Sequence, residues 1–236
     1  MPARYYVTVQ PHQAPRHLQL IRLGRQRPLA TWIRHPPGLG HTELHLTAFD
    51  RPGLLATITG VLAAHRIDIQ HAEVFSTPDD PELGPMAGRA LDIFELRGPE
   101  DGPVEAVRWR AARRDLERVL GGAESLEAVM VRRLRASALP AKPLPRLAVK
   151  VVIDNDSARS HSVVDVFCAD RVGLLHTLAR TFFELGLTVD LARVTTEGHR
   201  AADAFYVRTE QGARLQGEVA DRVVEAITAA LSRPER

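Results

Sequence analysis

The chain has 236 residues, and its 31 Lys+Arg against 29 Asp+Glu leave a net charge of only +2, too weak a field to make nucleic acid an expected partner. With 44% hydrophobic and 25% charged residues it has the composition of an ordinary globular protein. No apolar run approaches the roughly 20 residues that span a bilayer, and the N-terminus lacks a signal-peptide core. The single cysteine, Cys168, excludes an intrachain disulfide and reads as a buried thiol in a strand, so the expected compartment is the cytoplasm.

Residues 1–27 stand apart as an N-terminal segment. Arg4 to Val9 alternates like a short strand, and Pro15 to Leu23 has the spacing of a helix with Pro15 in its first turn. Leu29 to Arg34 then reads as a strand. The turn-rich Pro36-Pro37-Gly38-Leu39-Gly40 follows, and Glu43 to Phe49 reads as a second strand, which together make a hairpin signal. Asp50-Arg51-Pro52-Gly53-Leu54-Leu55 comes next and opens a helix striped by Leu54, Leu55, Ile58 and Leu62. Ile67 and Ile69 are in step, whereas Ala72 and Val74 are one residue out of step with them, the mark of a β-bulge. A loop from Ser76 to Arg89, a returning strand from Ala90 to Leu96 and a helix through Val104, Val107, Leu116, Val119 and Leu120 complete the unit. That helix is expected to break at Gly121-Gly122. Its arginines 108, 110, 113, 114 and 118 read as a solvated face.

The same sentence is then repeated. After the Pro-rich stretch 137–145, which reads as a stiff linker, Leu147 to Ile153 and Ser162 to Ala169 form a second hairpin signal around Asp154-Asn155-Asp156-Ser157. Asp170-Arg171-Val172-Gly173-Leu174-Leu175 matches the first motif, and Leu178, Phe182 and Leu185 continue its helical stripe. Leu187, Val189, Ala192 and Val194 repeat the bulge, Ala202 to Arg208 repeats the returning strand, and Val219, Val223, Ile227 and Leu231 close the chain in a helix. The expected division is therefore 1–27, a unit at 28–136, a linker at 137–145 and a unit at 146–236. Each unit is α+β and ferredoxin-like: a four-stranded antiparallel sheet with two helices on one face, permuted so that the last strand comes first.

Asp-Arg-Pro-Gly-Leu-Leu leaving a strand, followed by Ile-x-Ile-x-x-Ala-x-Val, resembles an ACT domain. Further stretches resemble the tandem ACT region at the C-terminus of the bifunctional uridylyltransferase/uridylyl-removing family that acts on the PII nitrogen-signalling protein. These are Pro2-Ala3-Arg4-Tyr5-Tyr6, Val152-Ile153-Asp154-Asn155, Ala192-Arg193-Val194-Thr195-Thr196 and Asp203-Ala204-Phe205-Tyr206-Val207. The resemblance implies allosteric amino-acid sensing, with glutamine the expected effector. It also implies as partners the catalytic domains of the same or a partner chain, the PII protein and other ACT units. Val172 departs from the motif's proline but leaves Gly173 in place.

The residues themselves point to regulation and away from catalysis. No His-Asp dipeptide occurs anywhere in the chain, and no Gly-Ser turn is followed by a metal-binding carboxylate pair, so no catalytic residue, metal or cofactor is expected. Asp154-Asn155-Asp156 lies in a hairpin turn, where Asn and Asp belong for their own hydrogen-bonding reasons. His41 and His45 on one strand would stand about 13 Å apart, too far to share a metal. His12 and His17 have poor helical spacing. The candidate ligand site is the strand-to-helix turn, whose glycine permits close approach and whose helical N–H groups favour a carboxylate. Its expected residues are Asp50, Arg51, Gly53, Leu54 and Ala72 in the first unit, and Asp170, Arg171, Gly173, Leu174 and Ala192 in the second. Asp50 and Asp170 either hold a ligand's ammonium or cap their helices. A stand-alone ACT-repeat regulator that acts through protein–protein contact is the alternative function.

Overall fold

The computed structural model describes residues 5–135 and 147–232. Its centre is one antiparallel sheet of eight strands: β1 (Leu29–Arg34), β2 (Thr42–Phe49), β3 (Asp68–Ser76), β4 (Arg89–Arg97), β5 (Lys150–Asp154), β6 (Ser162–Ala169), β7 (Leu187–Glu197) and β8 (Arg200–Thr209), in the order β1-β2-β4-β3-β7-β8-β6-β5. Each half contributes four strands in the same internal order. The leading strand of each half pairs with the next strand of its own half, Leu29 opposite Ala48 and Val151 opposite Val166. A ferredoxin-like unit with its last strand moved to the front requires this pairing. The slip at Ile69/His71 recurs at Val189/Leu191, so each half carries its bulge.

The halves join where β3 meets β7, through His71–Thr195, Ala72–Val194 and Glu73–Arg193. Glu73 and Arg193 hold the same place in the repeat, so a local pseudo-twofold axis passes between them. His71 Nδ1 lies 2.8 Å from the Val194 carbonyl across this seam. An edge strand left bare in one unit is thereby paired by the other.

The helices of the repeat cover one face. In the first half these are α3 (Leu54–Ala64), α4 (Ala106–Leu120) and α5 (Leu126–Arg135); in the second, α6 (Leu174–Glu184) and α7 (Glu218–Ser232). Strand residues of one parity, such as Leu44, Leu46, Phe94, Val164, Val166 and Phe205, meet them in one continuous core. The expected break at Gly121-Gly122 separates α4 from α5. Gly60 brings α3 and α6 close: a Cβ there would lie 2.8 Å from the His176 ring. His176 Nδ1 in turn lies 2.9 Å from the Ala56 carbonyl.

Two expectations need correction. Tyr5–Thr8 is a single helical turn (α1), not a strand, and with α2 (Ala14–Gly24) it packs on the opposite face of the first half's sheet. Tyr5, Val9 and Leu20 bury themselves against Ala30, Phe75, Leu91 and Leu191. Aromatic and apolar side chains gathered on one side of a short turn gain more from that sheet than from pairing as a strand. Second, the fifth strand begins at Lys150, later than Leu147. The loop between β3 and β4 carries a 3₁₀ stretch at Pro81–Met86 whose start is capped by the Asp80 side chain. The expected linker 137–145 lies outside the described residues, as does Arg4.

The candidate ligand cleft at the junction

Both motif turns have the same backbone. Gly53 (φ +76°) and Gly173 (φ +86°) are left-handed, and the helices start at Leu54 and Leu174. An L side chain at either glycine would carry a strain of about 1–2 kcal/mol. Leu54 N–H bonds to the Arg51 carbonyl and Leu174 N–H to the Arg171 carbonyl, closing each turn. Neither helix is capped by a side chain. Asp50 and Asp170 stand three residues before those N-cap glycines, and the backbone N–H beside each carboxyl is that of the next residue, Arg51 or Arg171.

At Gly173 the turn meets the other half of the molecule. A cleft of about 300 Å³, open mouth included, is lined by Asp170, Arg171, Gly173 and Leu174 on one side and by Ile67, Asp68 and Ile69 at the head of β3 on the other. Thr59 and Ala63 of α3 and His176 of α6 close its end, and Asp203 of β8 forms part of its wall. The enclosed part is about 10 Å³, the room of roughly one water. Admission of anything larger requires the turn and the strand head to separate.

Three carboxyl groups converge on this cleft. Asp203 is 2% exposed; its Oδ1 accepts the Thr195 N–H at 3.2 Å, while Oδ2 is buried with no hydrogen-bond partner among the described residues. Burial, with Asp170 nearby, pushes the Asp203 carboxyl up to about 7. Burial and the neighbouring Asp68 push Asp170 up to about 6, against the Arg171 backbone N–H and the Thr196 hydroxyl beside it. Asp68 is raised by burial as well, although Gln70 Nε2 donates to it at 2.7 Å. Such a group of acids is costly to ionise together and is relieved by a cation or an ammonium.

The first half keeps two of these acids. Asp50 and Asp92 hold the places of Asp170 and Asp203, and both carboxyls are raised by burial, the fully buried Asp92 strongly so. Thr188 stands where the other side has Asp68. The turn itself is occupied: the Phe183 ring lies 3.2 Å from where a Cβ on Gly53 would be. At Gly173 the corresponding neighbour is the methyl of Ala63, at 3.6 Å.

The structure thus gathers Asp170, Arg171, Gly173 and Leu174 at the cleft and places Asp50, Arg51, Gly53 and Leu54 at the turn beside Phe183. Ala72 and Ala192, also expected at the site, are fully buried in the core beneath the helices, and Val194 lines the cleft instead. Asp68, Asp92 and Asp203 were not foreseen. The signal for two of them was present in the repeated Asp-x-Phe of Asp92-Ile93-Phe94 and Asp203-Ala204-Phe205.

Several of the other singled-out groups have structural roles. Asp154 Oδ1 accepts the Asp156 and Ser157 N–H groups at 2.6 and 3.2 Å, a turn-forming use. Tyr5 Oη, His17 Nδ1 and Nε2, and His45 Nδ1 form a buried chain with links of 2.7 and 2.8 Å. Cys168 is 6% exposed, and burial pushes its thiol up to about 11. Among the described residues no three His, Cys, Asp or Glu side chains are placed to hold a metal ion, and no helix is long and apolar enough to cross a membrane.

Residues 43–105 match the ACT domain family. The chain is 33% identical over 179 residues to the bifunctional uridylyltransferase/uridylyl-removing enzyme of Caulobacter vibrioides (strain NA1000 / CB15N), an alignment covering 76% of this chain and 18% of that protein. It is 33% identical over 215 residues to the enzyme of the same name in Nitrobacter hamburgensis, covering 89% and 22%. For that of Rhodospirillum rubrum the identity is 28% over 236 residues, covering 97% and 24%. Among solved structures, an aspartate kinase from Synechocystis aligns over 80% of this chain and 26% of its own at a TM-score of 0.43 and 16% identity. The chain is a pair of ferredoxin-like, ACT-type units that resembles, over most of its length, about a fifth of a bifunctional uridylyltransferase/uridylyl-removing enzyme.

Proposed function

We propose that this chain is the amino-acid-sensing regulatory region of a PII-modifying uridylyltransferase, with glutamine as its effector, and that its units span 28–136 and 146–232. The observation that carries the reading is the cleft at Gly173. A left-handed glycine turn and the start of α6 offer backbone N–H groups to a carboxylate, while Asp170 and Asp203, with Asp68 opposite, offer acceptors to an ammonium. A free amino acid carries both groups two bonds apart. Because the cleft is almost closed, binding must part the turn of one unit from the strand head of the other. That movement is a means of reporting occupancy to attached catalytic domains or to the PII protein. The similarity to uridylyltransferases supports the PII assignment, and the acid-lined turn supports the ligand chemistry.

Calorimetry of the purified chain against a panel of amino acids tests the reading. Glutamine is expected to bind, and Asp203→Leu to weaken it at least tenfold while the protein stays folded. A panel in which no amino acid binds would sink the proposal. Binding untouched by Asp203→Leu would move the ligand elsewhere.

A further inference from the structure

The two turns are copies of one sequence, yet they have different neighbours. Ala63 and Phe183 hold the same place in the repeat, in the last turns of α3 and α6, and each faces the glycine turn of the opposite unit across the pseudo-twofold. Ala63 leaves Gly173 in ordinary van der Waals contact with a methyl group. Phe183 lays three ring carbons within 3.2–3.4 Å of where a Gly53 side chain would begin, close enough that any Cβ would have to displace it. A ring so placed covers the approach through which a carboxylate would reach the turn. The electrostatics differ as well: the Gly173 side has the third carboxyl, Asp68, whereas on the Gly53 side Thr188 holds that place and the acid that acts on Asp50 is Asp190, which Arg208 pairs at 2.7 Å. Phe183 is also 48% exposed. A phenyl ring that leaves half its surface in water adds little to the core, so its position over the turn is not explained by burial alone.

We infer that Phe183 is a built-in occupant of the Gly53 turn, so that the pair of units presents one ligand-accepting turn, at Gly173. The inference rests on the proposed amino-acid site and adds which of its two copies can part to admit a ligand and which residue fills the other. It makes Phe183 and Ala63 the residues that set stoichiometry.

Two measurements test it. In ligand-free thermal melts, Gly173→Ala should show backbone strain alone. Gly53→Ala should lower the Tm further, and the excess should vanish in a Phe183→Ala background. Equal effects of the two glycine substitutions, or an excess that survives Phe183→Ala, would overturn the occlusion whatever the ligand. In glutamine calorimetry the wild-type chain should bind one equivalent, Phe183→Ala two, and Ala63→Phe none, with melts showing that both variants are folded. Two equivalents in the wild type, or one in folded Phe183→Ala, would also overturn it. If no amino acid binds any variant, the sensing reading falls, and the melts alone decide the position of Phe183.

Discussion

Asp203 is an acid that the fold prefers uncharged. Its carboxyl sits at about 7 because of burial and Asp170, against an ordinary value of 3.8, and Asp170 sits at about 6. Below pH 4 both folded and unfolded chains hold these protons, and no penalty exists. Between about pH 4 and 7 the unfolded chain releases them while the folded chain retains them, so stability falls as pH rises through this window. The Asp203 share is on the order of a few kcal/mol. We expect Asp203→Asn, which keeps a donor and an acceptor in place of the protonated carboxyl, to be more stable than wild type at pH 8 and equal to it near pH 4. Urea denaturation at the two pH values decides this, and parallel pH slopes for the two proteins would refute it. The sequence showed Asp203 only as one residue of an alternating strand. What makes it a site residue is Asp170, thirty-three positions earlier, and Asp68, on the other unit; no local pattern records such a meeting. The glycines were legible because a left-handed turn is a local demand, and Phe183 was not, because its partner is Gly53.

At the scale of elements, the N-terminal layer departs furthest from what its sequence suggested. The six residues of alternating polarity from Arg4 to Val9 fit a strand as well as one helical turn, and only the open sheet face above Phe75 and Leu91 decides between them. Leu20→Asp should cost about 2–5 kcal/mol and expose that face to the dye ANS. Unchanged dye binding would show that the layer is not seated. The layer is also fixed by His17 and His45, which burial holds neutral, each down at about 4 against 6.5. Their contribution is complete above pH 6.5 and is lost as pH falls through 4, the reverse of the Asp203 trend. Trp32, whose ring centroid lies 4.5 Å from that of His45, reports this event. In a Trp109→Phe background its fluorescence should change in the acid range before global unfolding, and a single coincident transition would contradict it. On the opposite face, Gly60→Val would push α3 from α6 at His176, with an expected loss of about 1–3 kcal/mol. A calorimetric scan within error of wild type would show that the helices yield.

The whole molecule is more unified than a tandem repeat implies. Each unit's architecture was legible because strand alternation, turn glycines and helical stripes are short-range patterns that appear twice. The seam was not, since β3 and β7 show nothing in sequence to say which edge they will choose. With Ala72 and Val194 both buried at that seam and one core running beneath it, the halves should melt together. Differential scanning calorimetry is expected to give one endotherm with matching van't Hoff and calorimetric enthalpies. Two resolved endotherms would mean that the seam is an accessory contact. The Phe183 ring over Gly53 bears on signalling at this scale. A symmetric pair with two open turns facing each other across a shared sheet could respond to its effector as a threshold, the first molecule easing entry of the second. With one turn filled by the chain's own phenyl group that exchange has no second participant. On the proposed reading each chain would then follow effector concentration along a hyperbola with a Hill coefficient of one, a graded gauge whose range is set by a single affinity.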